Sequence, residues 1–298
     1  MISLPVPTDP TITQQIPPMK RFLFLLLVLI TGPLLVAGCQ STTAGGATDS
    51  SRSQLLLISS EDINQGAATA YQRTLSQARS AKALNTSSTS TKRVRNIANR
   101  LIAQVGVFRS DALKWNWEIN VIDSEEVNAY CMPGGKIAVY SGIISSLNLT
   151  DDELAAVIGH EMAHALREHS REQVSQQIAA DQALSLISAL AGFSSTQESL
   201  AGMASQLVMT LPFSRTMETE ADIMGMELMA RAGYNPEAAI NVWKKMEKLG
   251  GDAPPELLST HPSDESRIAR LQAELPKVMP LYQATATKGK TKSASSRK

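Results

Sequence analysis

The stretch His160-Glu161-Met162-Ala163-His164 carries two imidazoles and a carboxylate at fixed spacing. Residues four apart lie on one face of an α-helix about a turn apart, so His160 and His164 can bind one metal ion. Glu161 follows the first ligand and can take a proton from a water whose pKa the metal lowers. The spacing therefore predicts hydrolytic chemistry, with a zinc ion held by both histidines and Glu161 as the base.

The residues before this stretch predict the helix that the chemistry requires. Thr150 and Glu153 have the spacing of a capping box, with Thr150 at the N-cap. Apolar residues then recur at helical spacing; they are Leu154, Val157, Ile158 and Met162. The alternative is a surface helix that carries two histidines by chance. The cap, the apolar flanks and the presence of only four histidines in the chain all favour the metal site.

The third ligand must come from another segment. We expect the helix to continue to about residue 180, which turns His169 more than about 100° away from the metal face. His169 is therefore predicted to be a surface or second-site histidine. The stretch also lacks the later glycine and histidine of the extended metzincin pattern, which removes the usual nearby source of a third ligand.

A helix around residues 215–225 supplies the missing carboxylate. Its positions Glu218, Ala221, Asp222 and Gly225 form one stripe, whereas Glu220 points away and is predicted to be solvent-exposed. Glu218 completes a two-His, one-Glu zinc site that leaves a fourth position for water. Asp222, one turn on, can orient a ligand imidazole through its other nitrogen. The small residues at 221 and 225 allow another helix to approach closely.

Three predicted strands, two of them joined by a tight turn, precede the helix that carries His160 and His164. Residues 115–122 alternate with a period of two, and residues 127–132 and 136–140 flank the turn Pro133-Gly134-Gly135. We expect the strand at 127–132 to lie at a sheet edge, where Asn128, Ala129 and Tyr130 can hold an extended peptide. A plain hairpin without this role is the alternative, and the nearby metal site favours the substrate edge.

Composition limits the classes of protein that this chain can represent. The 298 residues are 43% hydrophobic, enough for one large or two small domains. Lysine plus arginine and aspartate plus glutamate number 28 each, so the net charge is zero. The charge balance therefore does not favour nucleic acid as a partner. Residues 181–211 have few charges and predict a mobile cover over the site. Core packing and a membrane span are the alternatives for that segment.

The N-terminal region predicts export and lipidation. Residues 1–18 resemble an unstructured extension, and residues 19–38 have the basic and apolar regions of a secretory signal. The run ends Leu35-Val36-Ala37-Gly38-Cys39, which resembles a bacterial lipobox with Cys39 as the acylated residue. An uncleaved membrane helix is the alternative, but the apolar run is shorter than the roughly 20 residues that span a bilayer.

A lipidated Cys39 predicts a membrane-bound protein with a flexible tether at residues 39–54. Gln40 follows the cysteine, and by resemblance to enterobacterial sorting it favours the periplasmic face of the outer membrane. Cys131 is then left without an intramolecular partner; a Cys39–Cys131 disulfide is the weaker alternative. The composition of residues 276–298 predicts a disordered basic tail.

Four blocks in order give the chain a specific resemblance. In chain order they are the segment from Asn128 to Gly135, the His160–His164 motif, Glu218-x-x-Ala221-Asp222, and Thr260-His261-Pro262 with Arg267-Ile268. Together they resemble the family-48 zinc metallopeptidases over residues 55–275, most closely the periplasmic lipoprotein proteases of the BepA and LoiP type.

The resemblance implies an α+β, mainly helical gluzincin domain at residues 55–275, with a small antiparallel or mixed sheet beside the motif helix. It implies one zinc ion per chain, with His160, His164 and Glu218 as ligands and Glu161 as the base. His261 matches a late histidine that either steadies the oxyanion or occupies the open metal position. Cys131 departs from the family pattern, and packing is favoured over a redox role.

These observations predict a membrane-anchored, ATP-independent zinc metalloendopeptidase that hydrolyses misfolded or misassembled envelope proteins. Its partners are then unfolded polypeptides and the membrane that holds Cys39. The alternative function is a lipoprotein chaperone or assembly factor for outer-membrane proteins, with latent proteolysis gated by His261. Glu161 favours the enzyme, because binding alone does not require a base.

Overall fold

The structure is a computed structural model that describes residues 39–190, 212–249, 256–261 and 266–295. The fold and the site belong to the compact unit formed by residues 40–298. Within the described ranges the helices are α1 (Ser60–Ser80), α2 (Ser88–Ile102), α3 (Ser141–Ser146), α4 (Asp151–Leu166), α5 (His169–Leu190), α6 (Arg215–Arg231), α7 (Glu237–Lys248), α8 (Glu256–Thr260) and α9 (Ser266–Ser295). The strands are β1 (Cys39–Gln40), β2 (Gln54–Leu55), β3 (Glu118–Ile122), β4 (Ala129–Met132) and β5 (Lys136–Tyr140).

A small mixed sheet lies beside α4, the helix that carries His160 and His164, as predicted. Its order is β3-β5-β4, with β3 parallel and β4 antiparallel to the central strand β5. The turn between β4 and β5 places Gly134 and Gly135 at φ values of 76° and 81°, a region that favours glycine. Among the described strands β4 has one neighbour only, so the strand predicted to lie at the edge does so.

Helix α4 is the centre of the hydrophobic core. It begins with the predicted capping box, in which Thr150 accepts from the Glu153 amide and the Glu153 carboxylate accepts from the Thr150 amide. Every residue from Glu153 to Leu166 is buried, because α2, β4, α6 and α7 all pack against this helix. The two motif histidines are therefore fixed in the interior, with little freedom to reorient.

Helix α4 does not continue to about residue 180, so the prediction of one long helix through His169 was wrong. Helix α4 ends at Leu166, and Glu168 takes a left-handed φ of 52°, after which α5 begins at His169. A left-handed residue cannot continue an α-helix, so the chain changes direction here. The change of direction places His169 on the interior side of the break and away from the surface.

Helices α4 and α6 approach closely where two glycines face each other, as the small residues of α6 predict. A Cβ atom at Gly225 would lie 2.7 Å from the backbone nitrogen of His160 and 2.9 Å from the carbonyl carbon of Gly159. Both obstacles are backbone atoms, so no side-chain rotation can relieve the contact. The missing side chain thus sets the distance between the helix with the histidines and the helix with Glu218.

We expect Gly225→Ala to destabilise the protein by about 1 to 3 kcal/mol, because overpacking costs more than the gain of about 1 kcal/mol in helix propensity. Gly66→Ala is the matched control: it also lies within a helix, and no atom lies within 4 Å of its added Cβ. It should stabilise the protein by up to about 1 kcal/mol. Thermal unfolding measures both, and equal effects at the two glycines would contradict the tight helix contact.

Residues 41–55, here called the N-terminal strap, are packed against the domain, which corrects the flexible tether expected for residues 39–54. The side-chain amide of Gln54 donates to the Arg167 carbonyl at 2.7 Å. The backbone amides of Ala47 and Thr48 donate to the buried Glu227 carboxylate at 2.9 Å. Small polar residues predict flexibility by composition, but here their polar groups have partners on α6 and on Arg167, the residue after α4.

The C-terminal region also differs from its prediction. Helix α9 extends to Ser295 and buries Val278, so residues 276–295 are helical rather than disordered. The predicted extension at residues 1–18, the signal at residues 19–38 and the larger part of the predicted cover at residues 181–211 lie outside the described residues. None of the described helices combines the length and hydropathy of a membrane span.

Candidate metal centre

Three helices bring four possible ligands together. His160 and His164 come from α4 and Glu218 from α6, whereas His261 directly follows α8; one donor atom of each lies within 4.8 Å of all the others. All four side chains are buried. The Nε2 atoms of His160 and His164 are 3.1 Å apart, and Glu218 Oε1 is 3.4 Å from His164 Nε2. Two imidazoles and a carboxylate with a further position nearby are the donor set of catalytic zinc sites.

The electrostatics of these groups suit a cation. Burial lowers the pKa of His164 well below its usual range, which keeps its ring neutral. Burial opposes the charge on Glu218, but the neighbouring His261, His160 and His164 hold its pKa well below the usual range. Burial also acts against a charged His160, yet hydrogen bonds with Asp222 and Glu218 raise its pKa to about 9. His160 must release this proton to bind a metal.

Asp222 and Arg267 contact two of the possible ligands, His160 and Glu218. Asp222 Oδ1 lies 3.0 Å from His160 Nδ1, which is the position that sequence spacing predicts for it. Arg267 Nε lies 2.6 Å from Asp222 Oδ2, and Arg267 Nη2 lies 2.9 Å from Glu218 Oε2. The guanidinium is stacked 3.3 Å from the ring of Trp243. In the sequence only the family resemblance points to Arg267, because its partners lie on another helix.

Glu161 is buried beside the cluster and lines the same cleft as His261. Its Oε2 atom lies 3.6 Å from His261 Nε2. Burial raises the pKa of this carboxyl above its usual value, and the charges of His261 and His160 act against that rise. A raised pKa makes the carboxylate a stronger base, which suits proton transfer near neutral pH.

A cleft of about 340 Å³ connects the cluster to the sheet. The edge residues Asn128, Ala129 and Tyr130 line one part of it, and Glu161 and His261 line another. The edge and the base predicted from sequence therefore share one cavity. Phe213 also lines the cleft, with its ring stacked 4.1 Å from that of His164.

His169 and Glu220 form a buried pair, whereas the sequence predicts both near the surface. His169 is 0% and Glu220 7% exposed. His169 Nδ1 lies 2.9 Å from His164 Nδ1, and His169 Nε2 lies 3.0 Å from Glu220 Oε2. The break at Glu168 turns His169 inward, and Arg52 and Arg167 pair with Glu220. No local pattern in the sequence predicts these partners, because they lie on separate segments.

Ionisation of Glu220 is expected to make the free energy of unfolding depend on pH in the acid range. Burial acts against its charge, but His169 and Arg52 lower the pKa to about 2 from an ordinary value of 4.5. Its stabilising contribution is therefore complete above about pH 4.5 and is lost as the pH falls toward 2. In urea unfolding of metal-free protein, the difference between wild type and Glu220→Gln should shrink from pH 6 to pH 3. A difference that is constant over this range would contradict the pairing.

Cys131 is a free, buried thiol in the edge strand β4. Burial, together with the nearby Glu161 charge, raises its pKa well above the usual value, so the unreactive thiol form dominates. The structure accordingly supports a packing role for Cys131 and gives no support to the Cys39–Cys131 disulfide.

Comparison with known sequences agrees with this geometry. The sequence pattern described as Peptidase family M48 matches residues 88–275, which include all four clustered side chains. The chain is 41% identical over 152 residues to mitochondrial metalloendopeptidase OMA1 of Arabidopsis thaliana, covering 51% of this chain and 30% of that protein. It is 39% identical over 189 residues to OMA1 of Schizosaccharomyces pombe, covering 61% and 52%.

A bacterial relative is less similar. The beta-barrel assembly-enhancing protease of Escherichia coli is 28% identical over 188 residues, which cover 60% of this chain and 37% of that protein. The chain thus spans between about a third and a half of the length of these curated relatives. The family match at residues 88–275 contains the motif helix and the sheet, and with them the residues of the metal centre.

Proposed function

The chain belongs to peptidase family M48, and from that premise we propose that it is an ATP-independent zinc endopeptidase acting on unfolded polypeptides. Zinc is the cofactor of this family, and the cluster of His160, His164, Glu218 and His261 offers its ligands. The observation that carries the proposal is a cleft, within the described residues, that is lined by His164 and His261 of this cluster, by Glu161 and by residues of the edge strand β4.

Glu161 is the general base in this proposal. Its carboxylate is buried beside the cluster and faces the cleft, so it can take a proton from a water and pass it to the leaving amine. Zinc, when bound, supplies a Lewis acid that lowers the pKa of that water and polarises a carbonyl. Asp222 and Arg267 keep His160 and Glu218 in place, so the ligands need no rearrangement.

The edge strand β4 holds the substrate in this proposal. Its other side is paired with β5, so backbone groups of Ala129 and Cys131 on the cleft side can bind an extended peptide as an added strand. Main-chain recognition of this kind selects extended segments rather than a particular sequence. A folded protein presents few such segments, and this favours unfolded or misassembled substrates.

Cleavage of an unfolded protein such as casein by the purified chain tests the proposal. We expect cleavage that stops with a zinc chelator and returns when zinc is added. A stably folded protein of similar size is the matched control and should resist cleavage. Absence of cleavage by zinc-loaded protein, or cleavage that is unaffected by the chelator, would overturn the assignment.

We also propose that the protein is anchored to a bacterial envelope membrane through lipidated Cys39, on the periplasmic face of the outer membrane. The lipobox-like residues before Cys39 support this, as does the similarity to a bacterial beta-barrel assembly-enhancing protease. Its substrates are then misfolded or misassembled envelope proteins. Cys39→Ser should move the protein from the membrane to the soluble fraction; a variant that stays membrane-bound would contradict lipid anchoring at this residue.

One observation favours a latent form of the enzyme. His261 Nδ1 lies 2.9 Å from Glu218 Oε1 and 3.3 Å from His160 Nε2, within the group of ligand atoms. A histidine at this position can occupy the place that water needs, which supports the alternative of a chaperone or assembly factor with gated proteolysis. If His261 is a gate, His261→Ala raises casein cleavage; if it steadies the oxyanion, cleavage falls by about 100-fold or more.

A further inference from the structure

The buried pair of His169 and Glu220 lies directly behind the metal centre. His164 turns its Nε2 atom toward the cluster, 3.1 Å from His160 Nε2. Its other ring nitrogen, Nδ1, lies 2.9 Å from His169 Nδ1. Because two ring nitrogens face each other at hydrogen-bond distance, one must donate and the other must accept. Which one donates decides whether His164 Nε2 has a lone pair for a metal.

Glu220 decides this question. An ionised carboxylate can only accept hydrogen bonds, and Glu220 Oε2 lies 3.0 Å from His169 Nε2. His169 Nε2 therefore carries a hydrogen and donates to Glu220. In a neutral imidazole the other nitrogen is then an acceptor, so His169 Nδ1 accepts from His164 Nδ1. The hydrogen on His164 is thus placed at Nδ1, and Nε2 is left with its lone pair facing the cluster.

Two arginines keep the carboxylate of Glu220 ionised and in place. Arg52 Nε lies 2.9 Å and Arg167 Nη2 3.1 Å from Glu220 Oε1. Arg167 is fully buried at the end of α4, and Arg52 belongs to the N-terminal strap. The strap also pairs Arg52 with Glu172 of α5 at 2.8 Å. Arg52 of the strap and Arg167 at the end of α4 therefore fix the orientation of the Glu220 carboxylate.

We propose that Glu220 and His169 are positioning residues that act in series on His164, fixing its tautomer and ring orientation for metal binding. Asp222 performs the same task for His160 by direct contact, so each histidine ligand has its own acidic partner. The inference rests on the proposed ligand set. It adds that Glu220 acts on His164 through His169, an arrangement here called the relay. The relay explains why His169 and Glu220 are buried although neither belongs to the ligand cluster.

Zinc affinity tests the relay without relying on enzymatic turnover. The dissociation constant is measured by competition with a chromogenic chelator for wild type, His169→Phe, His169→Asn and Glu220→Gln. Phenylalanine keeps the size of the ring and removes the acceptor, and we expect a loss of affinity of about 10- to 100-fold. Asparagine places an oxygen near the former Nδ1 position and should recover part of that loss. Glu220→Gln should weaken binding by about 10-fold.

Glu227→Gln is the matched control. Glu227 is a buried carboxylate on the same helix and holds the same strap, but its partners are two backbone amides and the Thr48 hydroxyl of the strap, together with Arg231. We expect it to lower the unfolding temperature of the metal-free protein and to leave zinc affinity at the wild-type value. The visible spectrum of the cobalt-substituted protein should change in His169→Phe and stay the same in Glu227→Gln.

The outcomes separate the relay from the proposed function. Wild type without stoichiometric zinc overturns the ligand set and the relay together. Wild type with tight zinc binding, but with unchanged affinity in both His169→Phe and Glu220→Gln, overturns the relay alone. If His169→Phe does not fold, Glu220→Gln against Glu227→Gln decides: equal affinities contradict the relay, and weaker binding only at position 220 supports it.

Discussion

Glu161→Gln is expected to retain about one zinc per chain and to lose at least about 100-fold in kcat for peptide cleavage. The amide has nearly the shape of the carboxylate but cannot accept a proton. Glu161 does not belong to the group of clustered ligand atoms, so zinc binding should be unchanged. Zinc content and casein cleavage, measured on the same preparation, check the two halves of this prediction.

Glu153→Gln is the matched control for this substitution. Glu153 is a second buried carboxylate on α4, where it closes the capping box and pairs with Lys245. Its loss should lower stability by roughly 0.5 to 2 kcal/mol and leave cleavage by the folded protein unchanged. Full activity of Glu161→Gln would show that another group acts as the base.

The same variant separates the two proposed functions in cells. A chaperone or assembly factor needs the cleft and the edge strand but not the base. If Glu161→Gln restored every phenotype of a strain that lacks the protein, binding would be its main activity. Loss of rescue, with normal amounts of zinc-loaded protein, would favour proteolysis.

The sequence predicts the relative positions of residues that lie close together on one helix, because helical spacing links them directly. His160, His164 and Glu161 share one capped helix, and Glu218 and Asp222 share another. The four-residue spacing therefore placed Asp222 one turn beyond Glu218, where the structure has it beside His160. The glycine at 225 likewise predicted a close helix contact. In each case the information lies within two turns of one helix.

His169 and Glu220 could not be placed in this way. The predicted position of His169 requires a continuous helix, and the left-handed residue Glu168 breaks that helix. Glutamate gives no signal for this conformation, because glycine and asparagine are the usual residues there. Glu220 is buried because His169, Arg52 and Arg167 surround it, and all three come from outside its own helix. Composition cannot report partners that only tertiary structure supplies.

The N-terminal strap illustrates the same limit. Its serine, threonine and glycine residues match a flexible linker, since they offer little apolar surface to bury. The structure compensates with polar contacts to buried groups: Thr42 donates to the Arg167 carbonyl, and Thr48 donates to Glu227. Buried acceptors such as Glu227 need these donors, so the domain and the strap stabilise each other.

Glu218→Ala is expected to remove zinc from the protein. Glu218 supplies the only carboxylate in the group of clustered ligand atoms, and its oxygens lie 3.4 Å from His164 Nε2 and 3.5 Å from His160 Nε2. Loss of a direct ligand should reduce zinc affinity by more than the roughly 100-fold lost with outer partners. Metal analysis after dialysis against a weak chelator should find about one zinc per wild-type chain and none in the variant.

Glu227→Ala, on the same helix and fully buried, is the control that separates ligand loss from helix damage. It removes the acceptor for the strap, so it should lower stability while keeping zinc. Retention of zinc by Glu218→Ala would mean that His261 serves as the third ligand, since its Nδ1 atom lies among the same ligand atoms. The double variant Glu218→Ala/His261→Ala would then lose zinc, whereas His261→Ala alone distinguishes a ligand from a gate by its effect on cleavage.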